Sequence, residues 1–146
     1  MSDELWLTDE EQTVWRQWLE SHIRLQSRLA RRLAAESGLS MSDYEVLVWL
    51  SEEPEGRLRM ATLAERLQWD RSRLSHHIRR METRGLVART DCPEDGRGSF
   101  VGVTPGGRQA IESAAPGHVR AVREFFLEPL GQDGLEALGR ALPKLP

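Results

Sequence analysis

Residues 61–87, ATLAERLQWDRSRLSHHIRRMETRGLV, contain two helical patterns separated by almost no chain. Leu63, Ala64 and Leu67 place apolar groups three and four residues apart, the spacing of one helix face. Gln68-Trp69 leaves room only for a tight connection. Asp70 can cap a second helix over 71–84, because its carboxylate accepts from the free N–H groups of a first turn, and Gly85 can close that helix. On a wheel of about 100° per residue, Leu74, Ile78 and Met81 fall on one side, which should pack. Ser72, His76, Arg79 and Thr83 collect on the other, flanked by Arg73 and Arg80. His77 lies toward the packed side, where packing and a phosphate contact suit it equally.

Downstream, Leu86 to Thr90 and Ser99 to Val103 read as two strands around the turn-rich DCPEDGRG. Upstream, Leu58-Arg59-Met60 suits a short strand after the loop EEPEGR. Helix, tight turn, helix and hairpin is the order of a winged helix-turn-helix, here over residues 40–103. The fold class is therefore mainly α with a small β wing. The outer face of the second helix carries donors and acceptors of the kind that read base edges in a major groove: arginine forks onto guanine, and Ser and His take either role. Asp70 helps to aim the helix N-terminus, whose N–H groups suit a phosphate. A merely solvated charged face is the alternative.

The flanking segments are helical. Thr8-Asp9-Glu10-Glu11 is a capping box opening a helix over 9–36, with Trp15, Trp18, Leu25, Leu29 and Leu33 on one stripe and His22 and Gln26 within it. That stripe faces a core or a partner. Ser37-Gly38 ends the helix, and Ser42-Asp43-Tyr44-Glu45 reads as a second capping box, starting an apolar helix through Leu50. Thr104-Pro105 opens another helix, interrupted or kinked near Pro116-Gly117 and continuing through Phe126. After Pro129 and Gly131 a last short helix carries Leu135, Leu138 and Leu142.

Composition narrows the function classes. A length of 146 residues suits one domain, 1–146. No apolar run approaches the roughly 18 residues of a membrane span, so no membrane partner is expected. The acidic start MSDELWLTDEE lacks the features of an export signal, which points to the cytoplasm. Cys92 is the single cysteine, excluding an intramolecular disulfide and a Cys-based zinc cluster; its acidic neighbours disfavour a thiolate. His22, His76, His77 and His118 show no metal-ligand spacing, and there is no nucleophile motif, phosphate loop or dinucleotide fingerprint. No metal, cofactor or enzymatic activity is expected. The net charge of -3 hides a division: Arg57 to Arg97 holds ten arginines against six acids, so the rest of the chain is strongly acidic.

Leu63-Ala64-Glu65-Arg66-Leu67, Arg71-Ser72-Arg73-Leu74-Ser75, Met81-Glu82-Thr83-Arg84-Gly85-Leu86-Val87 and Asp95-Gly96-Arg97, followed by Val103-Thr104-Pro105-Gly106-Gly107-Arg108, together resemble the MarR family of bacterial regulators. The order of the remaining helices extends the similarity over nearly the whole chain. The resemblance implies a homodimer whose dimerisation helices are 8–36 and 105–146. It implies a transcriptional regulator, by family habit a repressor, on a pseudo-palindromic operator in double-stranded DNA. Ser72, Arg73, Ser75, His76, Arg79 and Arg80 would meet DNA from the helix. Arg97 would enter the minor groove from the wing, held by a salt bridge to Asp95; a narrow minor groove attracts a guanidinium.

Many members respond to a small aromatic effector. Trp15, Trp18, His22, Tyr44 and Trp49 are the residues here that suit one, and they suit a core or dimer interface as well. The family's peroxide-sensing cysteine lies on the first helix, where this chain has none. Gln68 stands where a glycine is usual, Ala61 where a Ser or Thr would cap, and Gly96 where many members carry a second wing arginine. The competing class is a winged-helix protein-interaction module, which would make the face of residues 72–80 apolar or acidic.

Overall fold

Ser40 decides where the central part of the chain begins to fold. Its backbone is extended, its Oγ accepts from the Asp43 N–H, and the Asp43 carboxylate accepts from the Ser40 N–H at 2.9 Å. This reciprocal box starts α2 (Met41–Glu52). The box thus spans Ser40 to Asp43, two residues earlier than the expected Ser42 to Glu45. The buried Asp43 is the reason: its carboxylate faces inward and reaches the free N–H of the helix start.

The computed structural model of the chain describes residues 5–91 and 98–146. The remaining elements are α1 (Asp9–Ser37), β1 (Arg57–Arg59), α3 (Met60–Leu67), α4 (Arg71–Thr83), β2 (Val87–Asp91), β3 (Ser99–Val103), α5 (Pro105–Val122) and α6 (Glu128–Ala141), with a π-helical stretch at Arg123–Leu127 between the last two. The chain divides into two compact units, Leu33–His118 and the terminal segments Met1–Arg32 with Val119–Pro146.

In the central unit, three strands form an antiparallel sheet of order β1-β3-β2, with Leu58 opposite Val101 and Val87 opposite Val103. Val46, Leu47 and Leu50 of α2, Leu63 of α3, Leu74, Ile78 and Met81 of α4, and Val101 of β3 are fully buried together. Each such side chain contributes about 1.5–3 kcal/mol through removal from water. The side of α4 expected to pack does so, which fixes the direction of its opposite side.

The sheet is joined to α5 by a close backbone approach. Thr104 Oγ1 donates to the Gly85 carbonyl at 2.6 Å and accepts from the Gly107 N–H at 3.0 Å. A Cβ on Gly107 would stand 2.0 Å from the Leu86 carbonyl oxygen, so only glycine fits there. Pro116 lies inside α5 without ending it. The missing N–H removes one helical hydrogen bond, while the turns on either side remain helical. The first irregularity falls later than expected, in the π-helical stretch, whereas Gly131, whose φ of 67° and ψ of 179° kink α6, marks the break expected before the last helix.

In the terminal unit, Thr8 and Glu11 form the expected capping box of α1, with bonds of 2.8 and 3.2 Å. Arg32 pairs with Glu124 at 3.0 Å and stands over the Phe125 ring. Large apolar side chains remain exposed on α1: Trp15, Leu19 and Ile23, spaced four residues apart, are 51%, 38% and 66% exposed. Among the described residues no helix is long and apolar enough to cross a membrane.

Candidate nucleic-acid interface

The turn between α3 and α4 is built without the usual glycine. Gln68 takes the left-handed conformation, φ 56° and ψ 37°, and its side-chain Nε2 donates to the Glu65 carbonyl at 2.8 Å, offsetting part of the backbone strain. Trp69 N donates to the Ala64 carbonyl. Asp70 then caps α4 by accepting from the Arg73 N–H at 2.7 Å, as expected. The preceding helix has no side-chain cap: Arg59 is its N-cap residue, and Ala61 is inside the helix.

Of the residues expected to meet DNA, Ser72, Arg73, His76, Arg79 and Arg80 are exposed on one side of α4, and Ser75 is half-buried. Arg73 lies over the Trp69 ring, 4.0 Å from its centroid. Thr83 turns its hydroxyl back to the Arg79 carbonyl. His77 is only 8% exposed, which removes a direct phosphate contact and leaves packing. Asp95 and Arg97, and Cys92 beside them, lie outside the described residues.

Behind this face lies a buried polar cluster. Asp43 Oδ2 accepts from Arg84 Nη1 at 2.7 Å, and Oδ1 stands 2.9 Å from His77 Nε2. That approach is oblique, short of a straight hydrogen bond, and Nε2 has no other partner among the described residues. Burial alone would push the Asp43 carboxyl upward, but His77, the Ser40 N–H and Arg84 outweigh it and hold the carboxyl well below the usual carboxylate range. On its other side, His77 Nδ1 lies 3.2 Å from Arg80 Nη2.

Arg89, on β2, is a further member that the sequence reading missed. Its Nε donates to Ser99 Oγ at 2.7 Å and its Nη1 to Ser75 Oγ at 3.3 Å, so one guanidinium ties both wing strands to α4. A cleft lined by Arg71, Ser72, Ser75, Arg89 and Ser99 opens at this junction. Strand alternation could have found Arg89, since it shares a face with the buried Val87 and so points toward α4.

The residues suited to an aromatic effector divide between the two units. Trp15, Trp18 and His22 belong to the terminal unit, where Trp18 stacks on His22 with ring centroids 5.7 Å apart. Tyr44 and Trp49 belong to the central unit. Tyr44 packs on His118 at 4.5 Å, and Trp49 lies under Arg66. Burial raises the Tyr44 pKa and lowers that of His118. Among the described residues no cluster of His, Cys, Asp and Glu could hold a metal ion.

A left-handed turn between two short helices, a second helix with an inner apolar and an outer cationic side, and a three-stranded sheet behind it define a winged helix-turn-helix protein. Residues 37–98 match the sequence profile of the MarR family. The chain is 30% identical over 95 residues, 65% of its length, to the HTH-type transcriptional regulator YdgJ of Bacillus subtilis (strain 168), and the match spans 57% of that protein. It is similar in structure to AbsC, a MarR family transcriptional regulator from Streptomyces coelicolor, with a TM-score of 0.87 and 43% identity over 94% of this chain and 92% of that one. Sco3205, a MarR family regulator of the same organism solved in complex with DNA, gives a TM-score of 0.88 and 42% identity, covering 94% and 87% of the two chains. The protein belongs to the MarR family of transcriptional regulators.

Proposed function

We propose that this protein binds double-stranded DNA in the bacterial cytoplasm as a homodimer and represses transcription from a pseudo-palindromic operator. The outer face of α4 carries this reading: Ser72, Arg73, His76, Arg79 and Arg80 are exposed on a helix whose other side is locked into the core. Such a face enters a major groove with its donors pre-aimed. An interaction module would present an apolar or acidic surface there. The 42% identity to Sco3205, solved with DNA, supports the same choice. Asp95 and Arg97 are assigned to the minor groove by family resemblance, and an operator bound across a promoter would exclude polymerase.

The homodimer is supported by the exposed ridge of Trp15, Leu19 and Ile23 in the terminal unit, since contiguous apolar surface of this kind marks an interface. A small aromatic effector rests on the stacked Trp18 and His22, which line an apolar groove with Leu25 and Phe125. A mobility-shift assay on the DNA flanking the protein's own gene tests the DNA reading. The expected result is a complex at physiological salt that random competitor DNA does not disperse. Binding no tighter than to random DNA across all flanking segments would overturn it.

A further inference from the structure

The reading face of α4 is made largely of arginines, and an arginine side chain free in solvent loses considerable rotamer entropy when it meets a groove. In this protein two of them are held beforehand from behind. Arg73 lies on Trp69, and the Trp69 and His77 rings meet in a T-shaped pair at 5.4 Å between ring centroids. The His77 ring is therefore gripped on one side by an indole. Its Nε2 faces the buried Asp43 carboxylate, and its Nδ1 faces the Arg80 guanidinium. The two ring nitrogens have unlike neighbours, and this sets the tautomer. A carboxylate at Nε2 calls for a proton there, and a guanidinium, which only donates, calls for a lone pair at Nδ1. Arg84 and the Ser40 N–H both donate to the other oxygen of Asp43, and Arg84 also reaches the Gly38 carbonyl at 3.2 Å, which holds the carboxylate toward His77.

We propose that His77 is a positioning residue for DNA recognition: anchored by Asp43, it offers Nδ1 as an acceptor that holds the Arg80 guanidinium on the reading face of α4. The chain of contacts runs from the N-terminal box of α2, through the core, to the DNA side of α4. It rests on the reading of α4 as the DNA-binding helix. His77 touches no nucleic acid itself. It acts by reducing the number of positions Arg80 can occupy before DNA arrives, so its contribution exists only while Arg80 is present.

Two substitutions separate the two nitrogens. His77→Gln keeps a donor near the place of Nε2 and removes the acceptor at Nδ1; His77→Asn keeps an acceptor near the place of Nδ1 and gives up the contact with Asp43. The full-length protein and each variant, alone and combined with Arg80→Ala, are titrated by fluorescence anisotropy against a labelled duplex from the region upstream of its own gene and against a random-sequence duplex. His77→Gln should weaken binding to the upstream duplex by about three- to tenfold when Arg80 is present and by less than about twofold when it is alanine. His77→Asn, which keeps the acceptor but gives up the anchor, should show a smaller loss than His77→Gln, and that loss should likewise shrink when Arg80 is alanine, a comparison that stands even if His77→Gln proves too unstable to assay.

Equal losses from His77→Gln with and without Arg80 would show that His77 serves only the fold, overturning the proposal. So would an unchanged affinity in Arg80→Ala, or a loss in His77→Asn that exceeds the loss in His77→Gln. Wild-type protein that binds both duplexes alike would instead overturn the DNA reading itself, and the positioning role with it.

Discussion

Arg79 stands on the exposed outer side of α4, and among the described residues no side chain bonds its guanidinium. A guanidinium so placed can fork onto a guanine edge, a contact that carries about 1–3 kcal/mol of discrimination. Arg79→Ala is expected to relax the base preference at one position of each half-site, measured by competition with single-base operator variants. Arg97→Ala should lower affinity for all those variants by a similar factor, because a minor-groove guanidinium responds to groove width and potential. An exchange of the two patterns would reverse the assigned roles of helix and wing. Asp43 tests the residue scale from inside the core. Its carboxyl is depressed in the folded protein, so the native state binds fewer protons than the unfolded chain as pH falls below the unfolded value of about 3.9. The stabilisation is complete above that pH and is lost below it. Asp43→Asn should therefore cost about 1–3 kcal/mol near neutrality, read by urea unfolding, and the gap should narrow below about pH 4. A gap that stays constant with pH would assign the loss to packing. The division of α4 into a packed and an exposed side was legible in the sequence because wheel geometry needs only one helix. The Asp43 and His77 pair was not, although each interrupts a buried stripe, Asp43 before Val46 and Leu47, and His77 beside Leu74 and Ile78: nothing local to either says that two helices bring them together.

At the scale of elements, the fold depends on junctions more than on the helices they join. Gly85 and Gly107 both serve the passage between α4, the wing and α5, for different reasons. Gly85 has φ 74° and open space around it, so an added Cβ meets only the left-handed backbone penalty, about 1–2 kcal/mol. A Cβ on Gly107 would meet the Leu86 carbonyl at 2.0 Å, and a backbone atom cannot move aside as a side-chain tip can. Gly107→Ala is accordingly expected to destabilise by about 3 kcal/mol or more, clearly beyond Gly85→Ala, in thermal or denaturant unfolding. Equal losses would mean that the β2 to α5 packing is looser than the close approach implies. The turn signals in Asp70, Gly85 and Thr104 were readable because each acts locally, Asp70 on the Arg73 N–H and Thr104 on the Gly107 N–H, whereas the bond from Thr104 to the Gly85 carbonyl crosses the wing and was not. Other boundaries shifted for reasons that lie outside the local pattern. Ser40 rather than Ser42 caps α2, since Asp43 is drawn inward, and α5 continues past Pro116, since the loss of one N–H does not outweigh the helical turns on both sides.

At the scale of the whole molecule, the placement of apolar surface matters most. The central unit buries its large apolar side chains, whereas Trp15, Leu19 and Ile23 of α1 stay exposed along a four-residue ridge, of which only Trp15 belongs to the stripe that the sequence assigns to a core or a partner. If a second copy covers that ridge, replacing Trp15 and Ile23 together with glutamate removes two apolar side chains from each copy, four in all, and puts four charges into the interface. At about 1.5–3 kcal/mol for each large side chain, dimer affinity should fall by more than about 10,000-fold. Because both positions are exposed in the single chain, the thermal stability of the separated chain should change little. Analytical ultracentrifugation would then show a folded monomer at concentrations where the parent protein is a dimer. Its DNA binding gives an independent check. Each phosphate contact adds about 0.9 to the slope of log affinity against log salt, so a monomer presenting one α4 should show about half the slope of the dimer. A double variant that stays dimeric, or that becomes monomeric while keeping the full slope, would mean that this ridge does not join the two reading heads.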